Sequence, residues 1–368
     1  MSSLKPSLNL IHLPVAEALQ FSTQNTLSQY TLGIISFSDP NNASQVASIS
    51  PSTVSHLQLS AQILEGAEHA CELINTNEAV TDTQHLGNIA YRSNDNYLFG
   101  IIELPELTEN TTQLEGTSDL QRNTEQAYNE IFALMDALGY RYIYRVWNYM
   151  ANINGMTHSL ERYRQFNAGR KEAFARHPEL TSNQYPAACA LGLANGPLSI
   201  AFLLGRDIAP IAIENPRQVS AYEYPKQYGP RTPSFSRATL LKFITGYTLF
   251  ISGTASIVGH QTLHIDDVAA QTRETMLNLE TVIEQANKEI DKPLFDLDSM
   301  FLRVYVRNAA DLPIIKATMH DYLHTTPHAT FILADICRQD LLLEIEATGL
   351  ADSSPTHAVQ SSQASVSK

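Results

Sequence analysis

Two stretches of the chain carry the same order of sequence patterns, and this repetition constrains the fold more than any other feature. Residues 86–205 and residues 237–350 each predict two strands, a helix, a strand, a second helix and two closing strands. When the copies are superimposed, Arg145-Val146-Trp147 falls on Arg303-Val304-Tyr305, and Pro186 falls on Pro327. This repetition predicts a duplicated α+β fold, with two β-β-α-β-α-β-β units in one chain.

The limits of the predicted elements follow from the spacing of apolar residues and from the positions of turn residues. In the first unit we predict strands at 88–92, 97–104, 141–149, 187–193 and 198–204, and helices at 123–138 and 160–175. In the second unit we predict strands at 238–245, 248–258 and 300–307, two more within 325–349, and helices at 267–286, capped by Asp266, and 312–323.

Three regions lie outside the two units. Residues 1–85 predict an irregular N-terminal α/β extension packed on the first unit. Residues 206–236 contain several prolines and tyrosines and predict a connector, either a wrapped linker or a functional loop. Residues 351–368 are polar and predict a disordered tail. The elements predicted within the N-terminal extension are strands at 8–13 and 31–37 and a helix at 62–73.

The last predicted strand carries a carboxylate in an apolar run. Glu344 lies within residues 341–346, after a polar turn at residues 338–340. Burial would penalise its ionised form and raise its pKa, which makes Glu344 a candidate general acid near neutral pH. A surface glutamate on an edge strand fits the periodicity equally well. By the repeat, Ala201 takes the place of Glu344 in the first unit, so only one copy keeps the acid.

The composition argues against several classes of partner. Hydrophobic residues make up 43% and charged residues 17% of the chain, as in ordinary globular domains. No apolar run reaches the roughly 18 residues that a membrane helix needs. A net charge of −14 argues against a nucleic-acid or anionic-membrane partner.

The sequence also lacks the patterns of several cofactor and metal sites. The 12 histidines show no metal-ligand spacing, and no glycine-rich nucleotide-binding motif is present, so we expect no metal and no cofactor. The 3 cysteines lie far apart and predict neither a disulfide framework nor a zinc site. Together with an N-terminus that lacks a secretory pattern, these features predict a cytoplasmic protein.

Four segments of the second unit follow the order and spacing of a known family. They are Phe250-Ile251-Ser252-Gly253, Asp267-Val268-Ala269-Ala270-Gln271-Thr272, Leu277-Asn278-Leu279 and Leu343-Glu344-Ile345-Glu346-Ala347. With these segments the unit resembles the YjgF/RidA family. The resemblance implies a YjgF/RidA-like (chorismate-mutase-like) fold, in which a mixed sheet is backed by two helices and trimers hold active sites between subunits. The arginine that RidA-type deaminases use to hold a substrate carboxylate would fall at Ala329, which argues against imine deamination.

Further segments extend the resemblance over roughly residues 5–350. They are Arg145-Val146-Trp147-Asn148-Tyr149 with Ile153-Asn154, residues 161–170, residues 229–238, Ser252-Gly253-Thr254-Ala255-Ser256 and residues 337–346. With them the whole chain resembles the chorismatases, a group on this fold that includes 3-hydroxybenzoate synthases. The resemblance implies cleavage of chorismate to pyruvate and 3-hydroxybenzoate, alone or together with 4-hydroxybenzoate. Glu344 matches the catalytic glutamate of the family, which protonates the enolpyruvyl methylene. Glu346, on the same strand face, is the alternative acid.

The resemblance also implies which positions select the product. In the family, glycine with cysteine at two pocket positions accompanies the aromatic product, formed by internal trapping through an arene oxide. Alanine at both positions accompanies hydrolysis to a dihydroxycyclohexadiene carboxylate. The two positions are Gly253 and Cys337 here. From the residues alone, Cys337 is typical of a small buried apolar side chain. Gly253 is typical of a strand glycine that leaves room for a neighbour.

The two carboxylates of chorismate need cations, and the planar fork of arginine suits them. The candidates are Arg145, Arg162, Arg170 and Arg237, with Tyr149 and Tyr163 as neutral donors. Arg145 could instead form an internal ion pair with a residue such as Glu130. Arg162 and Arg170 could belong to a solvated helix face. Arg237 follows the connector and is best placed to point from a loop into a cleft.

Three functions therefore stay open from the sequence. They are a chorismatase that forms 3-hydroxybenzoate, a hydrolytic chorismatase, and a non-catalytic Rid-like module that binds a small molecule. Two Rid-like units and 85 further residues could imitate a trimer within one chain, so we expect a monomer or a small homo-oligomer.

Overall fold

Three β-sheets organise the chain. The structure is a computed structural model that describes residues 7–15, 17–18, 29–39, 54–106, 116–178 and 185–352. One sheet belongs mainly to residues 1–85, one to the first unit and one to the second unit. The limits between these parts of the chain stay a prediction, because the short strands Ile63–Glu65 and Ile211–Ile213 lie outside the second unit and yet join its sheet.

The N-terminal sheet has the strand order β1-β5-β2-β3. Its strands are Leu8–Leu13 (β1), Thr31–Ser38 (β2), Ser55–Ser60 (β3) and Cys71–Thr76 (β5), while Ile63–Glu65 (β4) joins the second unit. The strands predicted at 8–13 and 31–37 are confirmed. The helix predicted at 62–73 is wrong, because pairing of β4 and β5 with strands distant in sequence outweighs the local spacing of apolar residues.

The first unit is a six-stranded sheet of order β12-β9-β13-β8-β7-β6, backed by two helices. Its strands are Gln84–Leu86 (β6), Ile89–Ser93 (β7), Tyr97–Leu104 (β8), Tyr142–Ala151 (β9), Ala187–Leu193 (β12) and Leu198–Gly205 (β13). Its helices are Asp119–Leu138 (α1) and Arg162–Ala175 (α2), and a small hairpin of Met156–Thr157 (β10) and Leu160–Glu161 (β11) precedes α2. The helix α1 begins at Ser118, whose side chain accepts a hydrogen bond from the backbone of Gln121, and ends at Gly139 in a left-handed conformation.

The second unit is a seven-stranded sheet of order β14-β15-β16-β21-β19-β20-β4, also backed by two helices. Its own strands are Ile211–Ile213 (β14), Ala238–Lys242 (β15), Gly246–Thr254 (β16), Phe301–Val306 (β19), His328–Leu333 (β20) and Leu343–Asp352 (β21), with a hairpin of Ile257–Val258 (β17) and Gln261–Thr262 (β18). Its helices are Val268–Ile290 (α3) and Leu312–His320 (α4).

Two predictions for the second unit are corrected. The N-cap of α3 is Asp267, whose carboxylate accepts a 2.9 Å hydrogen bond from the backbone of Ala270, and not Asp266, whose backbone is left-handed. The strand β21 continues to Asp352 because it pairs with β16 over that length, so it enters the predicted disordered tail. The rest of that tail, from residue 353, lies outside the described residues.

Strand pairing confirms the internal repeat at the level of single residues. Ala201 on β13 lies opposite Trp147 on β9. Glu344 on β21 lies opposite Tyr305 on β19, the residue that superimposes on Trp147. Ala201 therefore occupies in the first unit the place that Glu344 occupies in the second.

The N-terminal sheet repeats the same pattern a third time. Its strands pair antiparallel, antiparallel and parallel. The same succession occurs along β8-β13-β9-β12 in the first unit and along β16-β21-β19-β20 in the second. Glu72 on β5 lies opposite Ile35 on β2, as Glu346 lies opposite Arg303 in the second unit. The region that the sequence predicts to be irregular therefore contains a third sheet of the same topology.

The three sheets share one apolar core, to which each contributes large buried side chains. Ile35, Trp147 and Tyr305 come from corresponding strands of the three sheets and are at most 2% exposed. The helices of the two units cover the opposite sheet faces and enclose two further cores. Among the described helices, none has the length and apolarity to cross a membrane.

Candidate active site

A cavity of about 590 Å³ opens between the two units. Residues from the segment 154–164 of the first unit form one wall, and residues of the connector form another. The end of β16 and the turn before β21 complete it. The side chains that matter for the chemistry below are Tyr163, Tyr224, Arg237, Gly253, Cys337, Arg338 and Glu344.

Glu344 lies on the cavity wall where β16 and β21 pair irregularly. The register between the two strands shifts between Ile251 and Thr254. This shift brings Gly253 against the Glu344 carboxyl, and a Cβ atom added at Gly253 would overlap a carboxyl oxygen. The glycine therefore leaves the space that the acid occupies, as the sequence suggested for a strand glycine.

The Glu344 carboxyl is in a setting that favours its neutral form. Its residue is only 3% exposed, and burial raises its pKa from 4.5 to about 8, with the negative charge of Glu346 adding to the effect. A hydrogen bond from the Cys337 thiol and the charge of Arg145 act in the opposite direction but are smaller. Glu344 is therefore largely protonated at neutral pH.

Glu346, two residues further along the same strand face, is in the opposite state. Its carboxylate is paired with Arg145 and with Arg303, at 2.7 Å from Nη1 of Arg303, and accepts a 2.8 Å hydrogen bond from the Tyr305 hydroxyl. Burial alone would raise its pKa, but the two guanidinium groups hold the pKa below its usual value. The two carboxyl groups thus have different protonation states, a pattern in which the neutral one serves as the acid.

Three arginines at or beside this cavity carry unpartnered donors. Arg237 and Arg338 line the cavity and leave Nε and Nη2 unpartnered. Arg170, with an unpartnered Nε, lines a small adjoining pocket that shares Glu344 and Cys337 with the cavity. Each of these nitrogen atoms is buried and has no hydrogen-bond acceptor among the described residues. Because a buried donor without an acceptor is costly, the arrangement favours a ligand that brings anionic oxygens.

The remaining donors of these arginines fix their positions. Arg237 donates at 2.9 Å to the Val219 carbonyl and at 2.8 Å to the Tyr224 hydroxyl. Arg170 donates at 2.8 Å to Asn167. The guanidinium of Arg338 donates to the carbonyl of His260 and lies 4.1 Å from the ring centroid of Tyr228.

Five of the nine candidate site residues line the cavity, namely Glu344, Cys337, Gly253, Tyr163 and Arg237. A sixth, Arg170, lines the small adjoining pocket. The other three lie elsewhere. Arg145 pairs with Glu346 and donates to the Ile251 carbonyl at 3.1 Å, because a charge on a buried strand needs an internal counter-ion. The Tyr149 hydroxyl contacts that of Tyr305 at 2.9 Å in the shared core.

Arg162 is the third predicted residue outside the cavity. It forms a two-pronged ion pair with Glu106, at 2.7 and 2.5 Å, and donates to the Ala151 carbonyl. The expected alternative partner of Arg145 is also corrected, since Glu130 accepts hydrogen bonds from Asn88 and Gln126 instead. These pairings occupy the donors that a substrate would need.

The sequence makes Arg170 one of four candidate arginines, with a solvated helix face as the alternative, and does not single out Arg338. Arg170 is 2% exposed on a helix that buries Gln165 and Asn167 as well. That buried polar face was a usable signal, because glutamine and asparagine in a helix that covers a core need polar partners. Arg338 sits in a turn, where its composition resembles any polar loop and gives no comparable signal.

Comparison with known proteins places the chain in a family. A family model described as "Chorismatase FkbO/Hyg5-like, N-terminal" matches residues 72–204. A 3-hydroxybenzoate synthase of Streptomyces hygroscopicus is 38% identical over 231 residues, which are 61% of this chain and 68% of the relative. A chorismatase of the same organism is 36% identical over 264 residues, which are 70% of this chain and 73% of the relative. The chain belongs to the chorismatase family.

A solved chorismatase structure agrees with this assignment over nearly the whole chain. It superimposes with a TM-score of 0.78 at 29% sequence identity, covering 95% of this chain and 99% of the other. The family resemblance and the fold class predicted from the sequence are confirmed. The chorismatase family thus accounts for both units and for the N-terminal sheet.

Proposed function

We propose that the protein cleaves chorismate to pyruvate and 3-hydroxybenzoate. The observation that carries this proposal is a protonated, buried Glu344 in the wall of a cavity, with three arginines that have buried, unpartnered donors in the lining of that cavity and of the small pocket beside it. Chorismate has one acid-labile enolpyruvyl ether and two carboxylates. The acid and the cations therefore match the two chemical features of this substrate.

The first step is proton transfer to carbon. Glu344 gives its proton to the terminal methylene carbon, whose π electrons form the new C–H bond, and an oxocarbenium ion results. Protonation of carbon is slow, so the acid must keep its proton near pH 7 and lie in contact with the substrate. Loss of the proton creates a carboxylate that stabilises the nearby cation in a site of low dielectric constant.

The second step determines the product. Attack within the ring by its own hydroxyl group releases pyruvate and leads through an arene oxide to 3-hydroxybenzoate. The two products together contain all the atoms of chorismate, so no water is consumed and Glu344 recovers a proton as the ring becomes aromatic. Attack by water would give the dihydroxycyclohexadiene carboxylate instead.

Substrate binding falls to the arginines that face the cavity. We assign Arg237, Arg170 and Tyr163, which were candidates from the sequence, and we add Arg338 on the basis of its unpartnered donor. Burial raises the pKa of Tyr163, so its hydroxyl stays a neutral donor. A complete cavity within one chain needs no second copy, so a monomer or small homo-oligomer remains our proposal, as does a cytoplasmic location.

The pH dependence of the reaction is a first prediction. Because Glu344 must be protonated and its pKa is about 8, kcat/KM should be flat between pH 6 and 7 and fall about tenfold per pH unit well above pH 8. The measurement is the initial rate of pyruvate release across this range, with protein stability monitored in parallel. A rate that stays constant to pH 10, or that instead falls as the pH drops below 7, would contradict the role of Glu344.

The product prediction concerns Cys337. Its thiol hydrogen-bonds the Glu344 carboxyl and fills the space beside it, so Cys337→Ala opens room for a water molecule next to the reacting ion. We expect the ratio of 3-hydroxybenzoate to the dihydroxycyclohexadiene carboxylate (the dihydrodiol) to fall by about tenfold. This is equivalent to a change of about 1.4 kcal/mol in the difference between the barriers of the two competing steps. Chromatography of the products measures it. Gly253→Ala is not combined with this change, because its Cβ would overlap the Glu344 carboxyl and displace the acid. An unchanged ratio refutes the assignment of Cys337.

The proposal itself is tested by incubating the purified protein with chorismate. Equal amounts of pyruvate and 3-hydroxybenzoate support it. Pyruvate with the dihydrodiol would identify a hydrolytic chorismatase, and binding of chorismate without turnover would identify a Rid-like binding module. Either of the last two outcomes overturns the proposed reaction.

A further inference from the structure

Arg307, directly after β19, organises the turn that forms one wall of the cavity. Its guanidinium makes five hydrogen bonds to that turn and to the first unit. Three of the acceptors are carbonyls, of Leu341 at 2.7 Å, Ile336 at 3.2 Å and Arg338 at 2.9 Å. The other two are the side chains of Asp335 at 2.7 Å and Asn154 at 3.2 Å.

The turn held in this way carries two residues of the site. Cys337 and Arg338 lie between the first and last carbonyls that Arg307 binds, in a segment outside the strands of the sheet. Asn154, from the first unit, donates to the Ile336 carbonyl at 3.1 Å and to the Cys337 carbonyl at 3.5 Å. Arg307 and Asn154 therefore fix the backbone on both sides of the Cys337 thiol.

Only an arginine can satisfy this geometry. Its five N–H groups point in fixed directions within one plane, whereas a lysine presents one compact charge on a flexible stem. Arg307 is not among the residues that line the cavity. Its influence on the reaction must therefore pass through the residues that it holds.

We propose that Arg307 is a positioning residue that places Cys337 beside the Glu344 carboxyl and so sets the share of chorismate that leaves as 3-hydroxybenzoate. This inference rests on the proposed function. Displacement of the turn by an ångström would separate the thiol from the acid and admit water to the reacting ion. Product partition, and not only rate, should then respond to Arg307.

The test compares Arg307→Met and Arg307→Lys with wild-type protein. We expect Arg307→Met to lower the ratio of 3-hydroxybenzoate to dihydrodiol about tenfold, because misplacement of a group by about 1 Å costs up to about 10²-fold in the rate of the step that it positions. Arg307→Lys should give an intermediate ratio. If Arg307→Met does not fold, the lysine variant alone decides.

Arg206 offers a matched control. It too ties turn carbonyls together, donating to Asp95 at 2.6 Å and to Leu138 at 2.9 Å, but it lies away from the cavity. Arg206→Met should lower the melting temperature without changing the product ratio. A wild-type ratio in every folded Arg307 variant overturns the inference. Wild-type protein that releases no pyruvate contradicts the proposed function itself, so the two failures are distinguishable.

Discussion

Replacing Glu344 with glutamine is expected to abolish formation of both pyruvate and hydroxybenzoate. Glutamine keeps the shape of the side chain but has no acidic proton, and a positioned general acid contributes about 10²–10⁴-fold to the rate. The measurement is kcat for pyruvate release at pH 7. Glu280→Gln is a suitable control, since burial also raises the pKa of Glu280 but its carboxyl lies outside the cavity.

The same variant should reveal the raised pKa through its stability. The folded-state pKa of Glu344 lies above its ordinary value of 4.5, so wild-type protein binds an extra proton between pH 4.5 and about 8. The contribution of Glu344 to stability is therefore fully present below pH 4.5, declines as the pH rises towards 8 and is lost above it. Glu344→Gln should lack this decline.

Retained activity in Glu344→Gln would show that another group is the acid.

Replacing Arg145 with leucine is expected to destabilise the protein strongly and to leave the chorismate KM of the folded fraction unchanged. The change leaves Glu346 with one guanidinium instead of two and removes the donor of the Ile251 carbonyl. Removing one partner of a buried ion pair costs about 3–5 kcal/mol, because the other charge stays buried. Urea unfolding measures the free energy of unfolding, and steady-state kinetics measure KM.

Arg176→Leu is the control for this prediction. Arg176 pairs with Glu125 but its side chain is 61% exposed, so its loss should cost about 0–1 kcal/mol. A large increase in KM for Arg145→Leu, with wild-type stability, would instead return Arg145 to the substrate site. That result would also contradict the buried ion pairs of Glu346 with Arg145 and Arg303.

The apolar run around Glu344 predicted a buried carboxyl, although a surface glutamate fitted the periodicity equally well, and the choice of Glu344 over Glu346 as the acid came from the family resemblance. The repeat then placed it against Ala201, and strand pairing shows the same register. The arginines were harder to predict. Both Arg145 and Arg170 are buried. Only Arg145 pairs with Glu346, and local patterns do not reveal that pair because its two residues lie 201 positions apart.

The N-terminal sheet shows a second limit of sequence reasoning. Its strands are short, and the sequence between them carries polar residues that obscure any repeat. Apolar residues at 63–73 fit a helix as well as strands, and only the partners on β20, β1 and β2 decide between them. The strands β4 and β5, which depend on pairing with segments distant in sequence, could therefore not be predicted from local patterns.

The proton transfer from Glu344 to carbon is tested most directly by running the reaction in D₂O and analysing the methyl group of pyruvate by mass spectrometry. The Glu344 carboxyl exchanges its proton with the solvent before substrate binds, so we predict one deuterium in the methyl group, together with an equal amount of 3-hydroxybenzoate. The label and both products should be absent with Glu344→Gln. Pyruvate without deuterium would show that the hydrogen came from the ring of the substrate, and labelled pyruvate from Glu344→Gln at the wild-type rate would show that another group supplies it.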